Sequence, residues 1–570
     1  MRRIDAASKL HFGVLFYTLK TGFCQISSMH RERGYVMINY LDTRGLMQST
    51  LPFSETIVWG LASGGGLFVP ETLPHLSVDE IVHLATLPYA MQAARIYRLF
   101  GVDFEDDEID ALMNEAYGQN FAVPDIAPLV EVAPRMHLLE LWHGPTAAFK
   151  DMALQCLPLF FSAALSRGGG GGTPGTPGTP GTPGTPDADD FLHLILVATS
   201  GDTGTAALEG FKNRQHVAII TYYPHDGVSD IQYRQMATAE GNNVGVVAVQ
   251  GNFDDCQNAV KAVFNDEGLA ATLNNRGVRL SSANSINWGR LLPQVVYYVS
   301  AYARLVAKGA LQPGQTLDIC VPTGNFGNIL AAWYAKAIGV PVGRLYCASN
   351  DNHVLSDFIT TGIYDISDRP FQLTPSPSMD ILVSSNLERQ LFELNGRNPS
   401  LIRQWMTDLR ENRCFQVDDQ TFAALNSDFR ADWVNSSECL ETVREVYEKY
   451  DYLLDPHTAV AFKAAERLRP SDDTVVLIAS TAHWAKFGTD VYRALTGMAA
   501  NSALPDEIAN LSAAQLNTLI AEKLAPHQTA AIPARLANLD SKPIRFSEIS
   551  ANDTASVAQT VLGWLDRAGY

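Results

Sequence analysis

A lysine that bonds covalently to a carbonyl has to lose its proton near neutral pH, and one stretch of this sequence is suited to that. Trp142-His143-Gly144-Pro145-Thr146-Ala147-Ala148-Phe149-Lys150-Asp151 runs into a helical pattern. Lys150 stands where that helix starts, against the favourable direction of its dipole, with Ala148 and Phe149 before it. An apolar pocket and a positive helix end both lower an ammonium pKa, as a Schiff-base lysine requires. The competing reading sends Lys150 out to solvent beside Asp151, and the local residues divide evenly between the two.

Four further loops carry polar groups in suggestive places. Thr199-Ser200-Gly201-Asp202-Thr203-Gly204 opens a helix with hydroxyls beside free N–H groups, an anion site or else a tightly packed helix cap. Pro322-Thr323-Gly324-Asn325-Phe326-Gly327-Asn328 can converge backbone amides on a phosphate. It has neither the Gly-Lys-Ser/Thr of a Walker loop nor the Gly-x-Gly-x-x-Gly of a dinucleotide turn. Ser282-Ala283-Asn284-Ser285-Ile286-Asn287-Trp288-Gly289-Arg290 places an arginine early in a helix, where an anionic partner or a surface position would explain it. Ser480-Thr481-Ala482-His483-Trp484-Ala485-Lys486-Phe487 offers a hydroxyl and an imidazole to a heteroaromatic ring, although a satisfied turn histidine explains His483 as well. A nucleophilic lysine, a phosphate cradle and a second anion site together imply pyridoxal phosphate as cofactor, acting on an anionic small molecule.

These loops need a scaffold that brings them to one place. Short β-rich runs at 192–198, 217–223, 244–249, 318–321, 344–348 and 474–479 alternate with helical patterns at 204–214, 253–264, 289–307 and 329–338. That alternation predicts parallel α/β sheets, whose ligands gather at the carboxyl ends of the strands. Residues 58–70 and 78–101 predict a small, mainly helical N-terminal domain. Five Gly-Thr-Pro repeats within 168–190 cannot enter a helix or a ladder and predict a disordered insertion. Residues 499–570 read as a helical extension with no evident role.

The 570 residues carry a net charge of −19, which disfavours nucleic acid and anionic membrane surfaces. The seven cysteines include no Cys-x-x-Cys, a pattern expected of a reducing, cytoplasmic setting with no metal site. The first 36 residues are basic against an acidic remainder, and read as a disordered tail or as sequence upstream of a start at Met37.

The quoted loops, with Asp42-Thr43-Arg44-Gly45 and Gly65-Gly66-Leu67-Phe68-Val69-Pro70, closely resemble the longer form of threonine synthase, in order from about residue 37 to 498. The resemblance does not reach residues 1–36, the Gly-Thr-Pro insertion or the C-terminal extension. It implies two α/β domains of the tryptophan-synthase-β-like, fold type II class. Residues 126–149 with 285–498 would form the large cofactor domain and 150–284 the small one, after an N-terminal domain at 37–125. It also implies that Lys150 holds the cofactor and that Gly324, Asn325, Phe326, Gly327 and Asn328 bind its phosphate. Thr481 would face the pyridine nitrogen, and Asp202 the phenolic side of the ring. Ser200, Thr203, Asn284, Ser285 and Arg290 would hold the phosphate of O-phosphohomoserine. Trp484 stands where that family usually has proline, and Ser63 where aspartate is common. The rival readings are a serine or threonine dehydratase-like lyase and an inactive homologue that binds a phosphorylated metabolite. The oligomeric state, monomer or homodimer, stays open.

Overall fold

The structure is a computed structural model that describes residues 36–167, 191–225, 227–527 and 531–570. The Gly-Thr-Pro insertion and the basic N-terminal 35 residues lie outside the described residues. Two sheets organise the chain. In the first, the strands lie side by side in the order 429–433, 342–349, 317–322, 476–480, 136–140 and 129–133; in the second, in the order 548–550, 244–249, 217–224, 192–198 and 278–281.

The first sheet comprises β3 (Leu129–Ala133), β4 (Met136–Glu140), β9 (Leu317–Pro322), β10 (Val342–Ser349), β13 (Phe429–Trp433) and β14 (Val476–Ser480). All its pairings are parallel except β3 with β4. The second comprises β5 (Leu192–Ala198), β6 (Val217–Pro224), β7 (Val244–Val249), β8 (Val278–Ser281) and β15 (Glu548–Ser550), all parallel. Every residue of β5, β6 and β7 is buried. Continuous apolar runs of this kind belong to parallel strands with helices on both faces.

The strands lie where the apolar runs predicted them, with ends adjusted locally. The run at 474–479 becomes strand only from Val476, because Thr474 closes a turn onto the Ser471 carbonyl (3.2 Å). The helix expected at 204–214 spans Asp202–Phe211 and stops where Lys212 becomes extended and Asn213 takes a φ of 58°.

The N-terminal domain is mainly helical, as expected, with one exception: Gly60, with a φ of 67°, ends the helix Phe53–Trp59, and β2 (Phe68–Pro70) pairs antiparallel with β1 (Tyr40–Asp42). One expectation needs correction. The C-terminal extension is not purely helical and has a structural role. It supplies β15 as an edge strand beside β7, then the helix Thr554–Ala568, whose Val557, Val561 and Leu565 are fully buried in the core of the second sheet. A further strand pair, β11 (Ile363–Asp365) with β12 (Cys414–Gln416), stands apart from both sheets.

The helix Trp288–Ala307 is buried through most of its length and packs on the helices Val78–Leu84 and Gly327–Ala337. A helix apolar on all sides belongs in a core, and this one joins the N-terminal domain to the first sheet. Among the described residues no helix is long and apolar enough to cross a membrane.

Candidate active site

Strand order places the predicted loops together. β14 lies between β9 and β4, so the loops beginning at Leu141, Thr323 and Thr481 leave adjacent strands at the same edge. β5 and β8 are neighbours in the other sheet, so the loops beginning at Thr199 and Ser282 leave side by side there. This is the geometry in which parallel sheets build ligand sites.

The lysine loop is zipped to the β14 loop. Leu141 N donates to Ser480 O (3.0 Å), Phe149 N to Thr481 O (2.7 Å) and His483 N to Ala147 O (3.1 Å). Lys150 therefore stands one residue from the contact that fixes Thr481, itself buried. Asp151 does not draw Lys150 toward solvent. Its carboxylate turns inward, accepting from Thr146 N (2.7 Å) and Thr146 Oγ1 (2.8 Å). Gly144 permits this, since a Cβ there would lie 2.4 Å from that of Asp151. Burial pushes the Asp151 carboxyl up to about 7, the Thr146 bonds opposing.

Lys150 is half-buried, with its ammonium 4.9 Å from the Phe149 ring centroid. Desolvation brings its pKa down to about 8; Arg290 and Lys486 push the same way and Asp202 opposes. Asp202, buried at the start of its helix, has Lys486 Nζ at 2.9 Å and accepts from Gln232 Nε2 (2.8 Å). Burial alone would raise this carboxyl, but Lys486, Lys150 and Gln232 outweigh it and hold it well below the usual carboxylate range. Lys486 Nζ also donates to Thr146 O (2.8 Å) and Gln235 Oε1 (2.9 Å).

Around Ser200 and Thr203, which are half-buried, the neighbouring Thr199 sets the loop. Its Oγ1 accepts from Gly201 N (3.0 Å) and Gly204 N (2.8 Å). In the Ser282 loop, Asn284 and Ser285 are half-buried, and Asn287 Nδ2 donates to Ile57 O (2.7 Å), anchoring the loop to the N-terminal domain. Arg290 is 3% exposed, and its Nη1 donates to Ala283 O (3.0 Å) while Nε has no acceptor. Burial lowers this guanidinium to about 10. A buried cation with an unmet donor fits an anion.

At the β9 loop, Phe326 takes a φ of 62° and the helix Gly327–Ala337 follows, with Gly324 and Asn325 half-buried. Asn328 Oδ1 accepts from Tyr297 OH (2.7 Å) and Tyr298 OH, which leaves its buried Nδ2 without a partner at the helix start. Free helix N–H groups and an unmet amide donor fit a phosphate, and the low-pKa lysine fits its aldehyde.

Several buried groups at these loops escaped the sequence reading. Lys486 stands between Ala485 and Phe487 in the turn after β14, next to an aromatic residue as Lys150 is. Asn386, whose N donates to Asn325 O (3.1 Å), and Arg389 follow no strand and gave no local signal. His483 serves the turn after β14, where its Nδ1 accepts from Ala485 N (3.1 Å). The Asp42-Thr43-Arg44-Gly45 motif is a brace, with Arg44 forked onto the buried Glu388 (2.8 and 3.0 Å).

Residues 139–481 match the family model "Pyridoxal-phosphate dependent enzyme", 39–117 "Threonine synthase N terminus" and 458–523 "Threonine synthase, C-terminal". The chain is 42% identical to human "Threonine synthase-like 1" over 78% of its own length; it spans only 58% of that relative. It is 39% identical to threonine synthase of Pseudomonas aeruginosa, covering 83% of this chain and 93% of the relative. Among solved structures, the PLP-bound threonine synthase from Brucella melitensis superposes with a TM-score of 0.76 at 33% identity, over 92% of this chain and 99% of that one. With two mainly parallel sheets that gather these loops, and with these relatives, the chain belongs to the threonine synthase family of pyridoxal-phosphate-dependent enzymes.

Proposed function

We propose that this chain is a carbon–oxygen lyase of threonine biosynthesis, converting O-phospho-L-homoserine and water to L-threonine and inorganic phosphate. The observation that carries the reading is the buried Arg290 with its unmet Nε, beside the half-buried Asn284 and Ser285. A dehydratase acting on serine or threonine has no substrate phosphate to place there. The presence of Lys150 argues against an inactive homologue.

Lys150 would hold the cofactor; Gly324, Asn325, Phe326, Gly327 and Asn328 would bind its phosphate, and Thr481 would meet its ring nitrogen. When bound, pyridoxal phosphate supplies the electron sink that makes protons at Cα and Cβ removable. Lys150 Nζ, about half deprotonated at pH 8, would take the Cα proton and return one. Ser200, Thr203, Asn284, Ser285 and Arg290 hold the substrate phosphate and stabilise it as it leaves. Thr481, a neutral hydroxyl, places no negative charge beside the ring. Asp202 stays ionised against Lys486 and sets the field that Lys150 feels. The six described cysteines are all unpaired, which favours a reducing compartment, and we place the chain in the cytoplasm.

The test is product analysis with purified protein and pyridoxal phosphate. Threonine and phosphate released in equal amounts from O-phosphohomoserine are expected. Turnover of serine or threonine to an oxoacid, with no phosphate release from O-phosphohomoserine, would overturn the substrate assignment and leave the cofactor assignment standing.

A further inference from the structure

We infer that Asn386 is a further ligand of the cofactor phosphate, its amide aimed by the buried guanidinium of Arg389. The inference rests on the reading of residues 324–328 as the phosphate cradle. Asn386 is fully buried and its Nδ2 has no hydrogen-bond partner. It is held against the cradle by its own backbone, where Asn386 N donates to Asn325 O (3.1 Å), and by Ser384 Oγ, which donates to Gly324 O (2.6 Å). A Cβ built on Gly327 would lie 3.3 Å from Asn386 Nδ2, so the amide stands over the first residue of the helix Gly327–Ala337.

The orientation of the amide follows from its neighbour. Arg389 Nη1 carries only hydrogens to give, so the atom 2.6 Å from it is the Asn386 oxygen and the N–H2 points away. Arg389 is itself fully buried and spends its other donors on Phe68 O (2.8 Å) and Ile286 O (2.6 Å). One guanidinium thus sets the Asn386 amide and the loop that carries Asn284 and Ser285. Asn328 contributes a second buried and unpartnered Nδ2 at the same helix end. Two buried amide donors without acceptors at a helix N-terminus are costly unless an anion meets them.

The experiment titrates the full-length chain, freed of cofactor, with pyridoxal phosphate and with pyridoxal, which lacks the phosphate. Binding is read by absorbance and by quenching of tryptophan fluorescence. The wild type is expected to prefer pyridoxal phosphate. Asn386→Ala is expected to lose about tenfold or more in affinity for pyridoxal phosphate and to keep its affinity for pyridoxal. Asn386→Asp keeps an oxygen on Arg389 and replaces the donor with a carboxylate oxygen, so it preserves the fold and should lose more. It decides the matter if the alanine variant does not fold. A wild type that binds both ligands equally overturns the cradle reading itself. A preference retained in both variants overturns the assignment of Asn386 alone, as does an equal loss for the two ligands.

Discussion

Lys486 Nζ lies 2.9 Å from Asp202 Oδ1 with both side chains buried, and the pair ties the turn after β14 to the helix that follows β5. It therefore joins the edges of the two sheets between which Lys150 stands. Removing one partner leaves the other as an uncompensated buried charge. Lys486→Met is expected to cost about 3–5 kcal/mol in urea unfolding, and adding Asp202→Asn should recover much of that. Additive losses in the double variant would show that the two groups do not act as a pair.

The same lysine acts on Lys150 at a distance. With the Lys150 ammonium brought down to about 8, chiefly by desolvation, covalent capture of pyridoxal phosphate should quicken about tenfold per pH unit below 8 and level off above it. Only the neutral amine attacks, so the rate follows the deprotonated fraction. Lys486→Met removes a nearby positive charge and frees Asp202 to favour the ammonium. Both effects raise the Lys150 pKa, so the inflection should move to higher pH. Borohydride trapping against pH measures it, and an unmoved inflection would show that Lys486 does not act on Lys150.

Legibility of this chain depended on how local the cause was. Strands such as β5 and β7 were readable because seven and six successive buried residues leave an unbroken apolar run. The loops after β5, β8 and β9 were readable because hydroxyls, glycines and amides stand at a strand end, where a parallel sheet gathers ligands. Their identity as one family's site came from resemblance of whole motifs, not from spacing. Arg389 was not legible, because its three acceptors lie on Phe68, Ile286 and Asn386, and only the fold brings the first two near it. Lys486 was quoted within a loop but passed over, since its role needs Asp202, 284 positions away in sequence. The C-terminal extension read as helical only, because a three-residue edge strand leaves almost no pattern.

Arg290 has one donor on Ala283 O and an unmet Nε, in a position 3% exposed. Arg290→Lys can keep the bond to Ala283 but loses the planar fork that grips a phosphate. Activity on O-phosphohomoserine is expected to fall about 100-fold in kcat/KM, equivalent to about 2.7 kcal/mol, with competitive inhibition by inorganic phosphate weakened in parallel. Covalent capture of pyridoxal phosphate by Lys150 should survive. An unchanged KM and unchanged phosphate inhibition would remove Arg290 from the substrate site.

Trp564 is the part of the C-terminal extension whose removal should be felt most. It lies in the helix Thr554–Ala568, 8% exposed, and its Nε1 donates to Val244 O (3.1 Å) at the start of β7. The indole sits directly over Gly245, where a Cβ would come within 2.6 Å of the ring. Trp564→Ala should cost about 3–5 kcal/mol through lost burial and the cavity left behind. Gly245→Ala should cost about 1–3 kcal/mol by forcing the ring off β7. Deletion of residues 547–570 removes both that cover and β15, so β7 becomes an open sheet edge prone to pairing with other chains. Thermal unfolding and light scattering of the three proteins test this. A truncated chain that stays monodisperse and unfolds at the wild-type temperature would show that the second sheet is complete without its last strand.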